Sequence, residues 1–416
     1  MKKLLILFFL LNGFINNAQT RISGKVLDSN NHPLIGAAVY LNNTSIGTTT
    51  NDLGEFELFI KAGVHDLIIS YLGYETIQYQ IDTKKSIRKF TFKTKETGNV
   101  LDEIVLNSKK YSDEDRAYFL SRFRKSFIGK TIFADNCKIE NPDVIQFDYN
   151  PLSNVLEAYV TKPIKIINKS LGYTIYYDLV YYKLSSTKIT YLGYSRYEQI
   201  KGGKSKQRKW KQNRLRAYNG SKMHFIRAAR NGILYREGYV INLSKRILNP
   251  ERPSDSLIND AKKHLAKLKG VNVSMTPYII PNSKDIRIKK SDKKLTYSKK
   301  DSLLLIIRNS RLKKFIDVKI KDSLNEKDFL IKDNNKVILK FQNYLDINYM
   351  NEKEEYNFRK GPNRLNYQSS KIILFTESVL LDPSGIFIEP LDVFMEGYWG
   401  YEKIADALPL DYTPKE

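Results

Sequence analysis

The stretch from Ile22 to Lys93 admits few folds. It reads I-S-G-K-V-L-D, then H-P-L-I-G-A-A-V-Y-L, I-G-T-T-T-N-D-L-G-E-F-E-L and H-D-L-I-I-S-Y-L-G-Y-E-T. Short alternating runs, broken about every eight to twelve residues by Gly, Asn, Asp or Pro, are the pattern of a small antiparallel β-sandwich. Ile22, Gly24 and Val26 alternate with Ser23, Lys25 and Leu27, as a strand buried on one face requires. Asn51-Asp52-Leu53-Gly54 is a turn in which Gly54 takes positive φ. Leu67 to Tyr71 is an unbroken apolar run suited to a central strand.

What flanks this stretch bears on compartment. Lys2 and Lys3, the apolar run Leu4 to Leu11 and Asn16-Asn17-Ala18 have the three parts of a cleavable signal peptide. The run is far short of the ~20 residues that span a bilayer, so no membrane span is expected after cleavage. Cys137 is the only cysteine. An exported chain with one thiol forms no internal disulfide, and between Phe133 and Ile139 that thiol is expected to be a buried small hydrophobe.

At these residues the resemblance becomes specific. G-K-V-L-D, P-L-I-G-A-A-V, G-T-T-T-N-D-L-G-E-F and I-S-Y-L-G-Y-E resemble the carboxypeptidase-regulatory-like domain, a transthyretin-like β-sandwich. Members commonly precede the plug and barrel of TonB-dependent receptors in Gram-negative outer membranes, and Leu101-Asp102-Glu103-Ile104-Val105-Leu106 resembles the segment that follows the domain there. Too little chain remains for a plug and a many-stranded barrel, and no series of ~10-residue amphipathic strands with aromatic girdles follows.

The family name does not bring an enzyme with it. A zinc carboxypeptidase needs a His and a Glu three residues apart plus a distant His. Three residues after His32, His65, His224 and His264 stand Ile35, Ile68, Arg227 and Lys267. H-E-x-x-H, G-x-S-x-G and the P-loop pattern are also missing. No catalytic, cofactor-binding or metal residue is assigned, and no cofactor is expected.

From Ser112 the period changes to that of a helix. Ser112 with Asp115 three residues on is an N-cap, and Tyr118, Phe119, Phe123, Phe127 and Ile128 fall mainly on one face until Gly129. Strands are expected at Val144 to Tyr149, Val155 to Val160, Ile164 to Asn168, Gly172 to Leu184 and Lys188 to Leu192. The tyrosines at 173, 176, 177, 181 and 182 suit sheet core and cross-strand pairs better than a ligand platform. A helix from Ser256 to Lys269 precedes an exposed lysine-rich stretch. After Asp301, apolar runs at Leu303 to Ile307, Phe315 to Ile320, Val337 to Phe341, Leu345 to Tyr349 and Ile372 to Thr376 suggest a further antiparallel sheet or a continuation of the preceding one. The carboxylates of Asn351 to Glu355 suit a solvated face. Gly397 to Tyr401 is a packed corner or an exposed contact.

The most unusual stretch is Lys201 to Arg236, which holds no Asp or Glu. Within it Lys206, Arg208, Lys209, Trp210, Lys211, Arg214 and Arg216 are the candidate residues for binding an anionic surface, on a basic helix whose apolar stripe includes Trp210, Leu215 and Tyr218. The alternative is a solvated basic helix packed on the sheet. The net charge of +24 agrees with an acidic partner, but a Lys-, Ile-, Asn- and Tyr-rich composition also follows from an AT-rich genome, so charge alone decides nothing.

The second part also resembles a known group. N-C-K-I-E-N-P-D-V-I-Q-F-D-Y, Q-R-K-W-K-Q-N-R-L-R-A-Y-N-G and the carboxy-terminal P-S-G-I-F-I-E-P-L-D-V-F-M-E-G-Y-W-G-Y-E-K-I-A-D-A-L-P-L-D-Y are similar to an uncharacterised class of exported bacterial proteins that carry the same sandwich. The resemblance implies architecture and compartment, and no catalytic residues.

The expected fold is α+β: an N-terminal antiparallel β-sandwich, then a mainly antiparallel-sheet domain with a few helices. Its expected division is a signal peptide at 1–18, the sandwich at 21–94, a linker at 95–111 and an α+β domain at 112–416, with the basic segment at 201–236 and a sub-boundary near 250–300. The leading functional reading is a non-enzymatic exported envelope protein, in the periplasm, at the outer membrane or secreted. Its sandwich contacts a protein or glycan and its basic domain an anionic surface, with no nucleic acid. The second reading is a hydrolase whose site is assembled in the fold, for example from Asp148, Asp178 and His224.

Overall fold

The computed structural model describes residues 19–85, 89–97, 111–267, 299–334 and 336–414. The leader at 1–18, the Leu101 to Leu106 segment and most of the lysine-rich stretch lie outside the described residues. Among the described residues no helix is long and apolar enough to cross a membrane.

The N-terminal stretch folds as two facing sheets. One has Gly47–Thr49, Ala38–Leu41, Val64–Ser70 and Ile77–Asp82 side by side, and the other Glu55–Ile60, Thr20–Leu27 and Phe90–Lys93. Between them lie Ile22, Val26, Val39, Leu41, Phe56, Leu58, Ile60, Leu67 and Ile69, the apolar members of the alternation. One pair departs from the antiparallel expectation, because Phe90–Lys93 runs parallel to Thr20–Leu27. Val64–Ser70 is central, paired on both sides. Its apolar run is unbroken because both of its faces are covered. Leu67 and Ile69 face the sandwich core, whereas Ile68, equally buried, lies beside Tyr40 on the outer face.

That outer face is where the rest of the chain docks. In the next sheet Tyr173–Leu184 is the central strand, pairing with Ile164–Asn168, Val155–Val160 and Ile189–Gln199; Ile145–Asn150 and Cys137–Ile139 complete it. Odd-numbered Tyr173, Ile175, Tyr177 and Leu179 point into a core with Phe119, Phe123 and Phe127. The last three come from the helix Asp113–Phe127, whose Ser112 side chain accepts the Asp115 N–H as its spacing predicts. Asp178 faces the other way and accepts the Tyr40 hydroxyl at 2.6 Å. Asn42 and Asn43 bond to Ser195, and Tyr194 to Gln78, across the same seam. Cys137 is buried as expected, and burial pushes its thiol up to about 12.

Tyr40→Phe removes the donor and leaves the enclosed Asp178 carboxyl, already raised by burial, without its closest partner. We expect a loss of about 1–3 kcal/mol, read as a lower urea midpoint with an unchanged slope.

A further sheet, separate from the second, settles the alternative left open by the sequence. Phe315–Lys321, Tyr239–Leu248, Tyr344–Tyr349, Gln368–Leu374 and Val393–Gly397 form five antiparallel strands, beside a three-stranded sheet of Leu330–Asp333, Lys336–Lys340 and Ser378–Leu381. The core changes over between Tyr218, in the second cluster, and Phe225, in the third, ahead of the 250–300 span expected to hold a boundary. Leu303 to Ile307 is not a strand but lies within the helix Lys299–Asn309. A short apolar run does not distinguish the two, and its three leucines favour helix.

The final segment straps the parts together. Trp399 sits in the third core, Ile404, Ala405 and Leu408 in the second. The Leu410 N–H then donates to Asn43 O of the sandwich, while Arg227 donates to Ser384 O, Leu410 O and Tyr412 O, each at 2.9 Å except the 2.7 Å of Leu410 to Asn43.

Candidate functional site

The basic stretch forms the helix Lys204–Tyr218, starting at Gly203 with no side-chain cap and no acid in its first turn. One side is clamped to the turn between Ile164–Asn168 and Tyr173–Leu184. The Trp210 indole N–H donates to Lys169 O at 2.9 Å, Asn213 Nδ2 to Ser170 O at 2.7 Å and Arg214 Nε to Leu171 O at 2.8 Å. The slot for Trp210 exists because Gly172, at φ 73°, brings the backbone against the ring, where a Cβ would collide.

This geometry divides the seven candidate residues. Lys206, Arg208, Lys209 and Lys211 are exposed, together with Lys201 and Lys204. Trp210 is only 5% exposed, and Arg214 spends its guanidinium on carbonyls and on the Tyr173 ring, 4.0 Å away. Both are corrected from surface contacts to anchors. Arg216 stands 3.8 Å from Glu355. Leu215, expected on the apolar stripe, is exposed, and Ala217 takes its place inside. The sequence shows the charge run, but only the docking turn decides which side of the helix is hidden.

Beyond the end of this helix lies a second feature that the sequence does not announce. Glu354 and Glu355 are not a solvated face: Glu354 is 0% exposed and Glu355 6%. Leu365 N–H donates to Glu354 Oε2 at 3.2 Å, and Ile132 N–H and the Tyr401 hydroxyl donate to Glu355 Oε2 at 3.1 and 3.2 Å. Burial raises both carboxyls. Asp406 Oδ2 accepts from Thr131 Oγ1 at 3.1 Å and from Lys403 N–H at 3.2 Å; burial pushes this carboxyl up to about 7. Lys222, at the start of the helix Lys222–Asn231, lies within electrostatic reach of Glu402 and Lys403, which directly follow the short helix Tyr398–Tyr401. Tyr398 and Trp399 of the corner are themselves buried. The only trace in the sequence is charge interleaved with Ile404, Ala405 and Leu408.

The structure does not assemble Asp148, Asp178 and His224 into one site. Asp178 is held at the sandwich seam by Tyr40, and Tyr111 donates to Asp148 at 3.4 Å. His224 Nδ1 accepts Gly220 N–H at 3.1 Å, which leaves the proton on Nε2, 3.2 Å from Glu237. Burial lowers its pKa, so it is a neutral imidazole stacked among Tyr218, Tyr239 and Tyr349. Among the described residues no group of three or more His, Cys, Asp or Glu is arranged to hold a metal ion.

Comparison with known proteins gives the N-terminal part a family. TonB-dependent receptor P39 of Formosa agariphila is 32% identical over 115 residues, 27% of this chain and 11% of that protein. TonB-dependent receptor SusC of Bacteroides thetaiotaomicron is 30% identical over 88 residues, 21% of this chain and 8% of that protein. The chain thus spans about a tenth of the curated relatives it matches. Among solved structures, a putative membrane-associated protein of unknown function from Bacteroides fragilis aligns over 91% of this chain and 94% of its own, at 10% identity. Its TM-score of 0.16 bears on neither fold nor function. The family model described as CarboxypepD_reg-like domain matches residues 22–106, past the expected boundary at 94 and through the Leu101 to Leu106 segment. From within its first strand through that segment, residues 22–106 of the chain match the CarboxypepD_reg-like domain.

Proposed function

We propose that this is an exported cell-envelope protein that acts by binding, with the basic helix set against an anionic lipid surface and the sandwich free to meet an envelope protein or glycan by the loops away from its docked face. The envelope setting is supported by the domain and by the similarity of this part to two TonB-dependent receptors. The binding reading rests on one observation. Lys201, Lys204, Lys206, Arg208, Lys209 and Lys211 are all exposed, and among the described residues none has a carboxylate at ion-pair distance. Like charges three and four apart repel, and lysines in a helix's first turn oppose its dipole. A helix serving only to cover the sheet gains nothing from that arrangement, whereas an anionic surface relieves both terms.

In co-sedimentation with phosphatidylglycerol-containing vesicles at low salt, the full chain is expected to bind and a Lys206, Arg208, Lys209, Lys211 alanine variant to bind at least tenfold more weakly. Raising salt should erase the difference as the Debye length shrinks. Equal binding by the two proteins would refute the membrane role.

A further inference from the structure

A β-bulge re-aims part of the second sheet. Along Tyr173–Leu184 the odd-numbered residues face the core as far as Leu179, whereas Tyr182 and Leu184 face it afterwards. The change falls at Val180, the extra residue between the pairs Leu179 with Gly193 and Tyr181 with Leu192. Gly193 admits it, because a Cβ there would collide with Asp178 O. An unbroken strand would send Tyr181 into the core beside Tyr177. The bulge sends it to the outer face, where it is 43% exposed. Bulges interrupt a ladder, and re-aiming a side chain is a recurrent reason for keeping one.

The neighbours of Tyr181 on that face are polar. Glu157 lies between Lys183 and Asp148, paired with each across the strands. Two residues on, Tyr159 lies opposite Gln146, and the same register brings it beside Tyr181, within electrostatic reach. Tyr159 is 40% exposed. Its hydroxyl donates to Glu157 Oε2 at 3.2 Å, and Lys183 Nζ stands 2.9 Å from Glu157 Oε1, so one carboxylate braces a ring and a cation. Among the described residues no other ring stacks on Tyr159 or Tyr181. The docked sandwich takes Asp178 and Tyr194, next along the same two strands, and leaves this strip open.

We propose that the strip beside the docked sandwich binds a neutral glycan chain, with Tyr159 and Tyr181 against hexopyranose rings and Glu157, Asp148, Gln146 and Lys183 bonding their hydroxyls. A hexose presents a C–H face that suits the negative face of a tyrosine ring. Its hydroxyls donate to a carboxylate and accept from an ammonium. Local charge favours a neutral ligand: in a chain of net charge +24, the strip sets the carboxylates of Asp148 and Glu157 against the one ammonium of Lys183, which disfavours lipid phosphate. A protein partner fits less well, since charged groups are depleted at the centre of such interfaces and here they adjoin both rings. Nothing in the strip comes from the basic helix, so glycan binding here is independent of lipid binding there.

The test titrates the full chain calorimetrically with three neutral probes, maltohexaose, cellohexaose and mannohexaose. Saturable binding of at least one is expected, weaker by roughly tenfold in Tyr181→Ala and in Tyr159→Ala. The Lys206, Arg208, Lys209, Lys211 alanine variant should bind as the wild type does. In case an alanine variant fails to fold, wild-type protein is also nitrated with tetranitromethane. The bound probe should protect Tyr159 and Tyr181 and leave Tyr235, 85% exposed, unprotected. No saturable binding by any probe, with no selective protection, would overturn the proposal. Binding that survives both tyrosine variants would place the glycan elsewhere, on the sandwich loops for example, and equally overturn it. Self-association lost in those variants, with no sugar bound, would make the strip an interface between copies instead.

Discussion

Trp399→Ala is expected to cost about 3–5 kcal/mol, a large share of the roughly 5–15 kcal/mol that holds an ordinary domain folded. The side chain is 3% exposed, packs on Phe225 with ring centroids 5.2 Å apart and donates its indole N–H to Gly220 O at 2.7 Å. Its own backbone N–H bonds to the Ser370 hydroxyl. Truncation therefore opens a cavity and leaves a buried carbonyl unpaired. The residue also fixes where the strap begins. Ala405 N–H to Ile128 O, Asn168 Nδ2 to Ala405 O and the Ser45 to Asp411 contacts all lie downstream. Urea unfolding followed by tryptophan fluorescence and by far-UV circular dichroism checks this. We expect a much lower midpoint, with the two probes diverging as the three cores lose their common tie. A midpoint within error of wild type would remove the strap from the account of stability.

Asp406→Asn is expected to change how stability depends on pH, in a direction opposite to most carboxylate substitutions. Burial holds Asp406 at about 7, against an ordinary value of 3.8. Between about pH 4 and 7 the folded protein keeps a proton that the unfolded chain has released. Stability therefore falls as pH rises through that window, by up to about 1.4 kcal/mol per pH unit from this group. Lys403 behaves in mirror image. Burial lowers it to about 8 from 10.5, so between those values the unfolded chain holds the extra proton and stability rises with pH. Together they give a minimum near pH 7 to 8. His224, lowered by burial, works against the decline up to its unfolded value of 6.5. Asp317, held at about 2 with Arg246 and Lys371 as partners against its own burial, acts below the window. Comparing wild type with the asparagine variant isolates Asp406. The asparagine oxygen can still accept from Thr131 and the Lys403 N–H, so the variant should lose less stability from pH 4 to 7. Parallel profiles would mean that Asp406 titrates normally.

The sandwich is legible in the chain because its signal is local. Ile22 and Val26, or Leu58 and Ile60, fall two or four residues apart on strands bounded by Gly and Asn turns, and that period is carried by the residues themselves. The helix cap at Ser112 is equally local. The buried carboxylates have no such signal. Glu354 and Glu355 sit in the polar run N-E-K-E-E, and their burial depends on Tyr401 and Ile132, which are distant in sequence. Leu303 to Ile307 misleads because five apolar residues fit either period.

By itself, the sequence determined the sandwich and its family, the α+β class, the lack of any known catalytic motif and the run of uncompensated lysines, because each depends on residue identity at short spacing. Only the tertiary structure decided that Trp210 and Arg214 are anchors, that the sandwich is docked through Tyr40 and Asp178, and that Glu354 and Glu355 are buried. Those outcomes depend on which surfaces cover one another, and burial, which sets both the cost of a charge and the stability a contact supplies, is a property of the assembled chain.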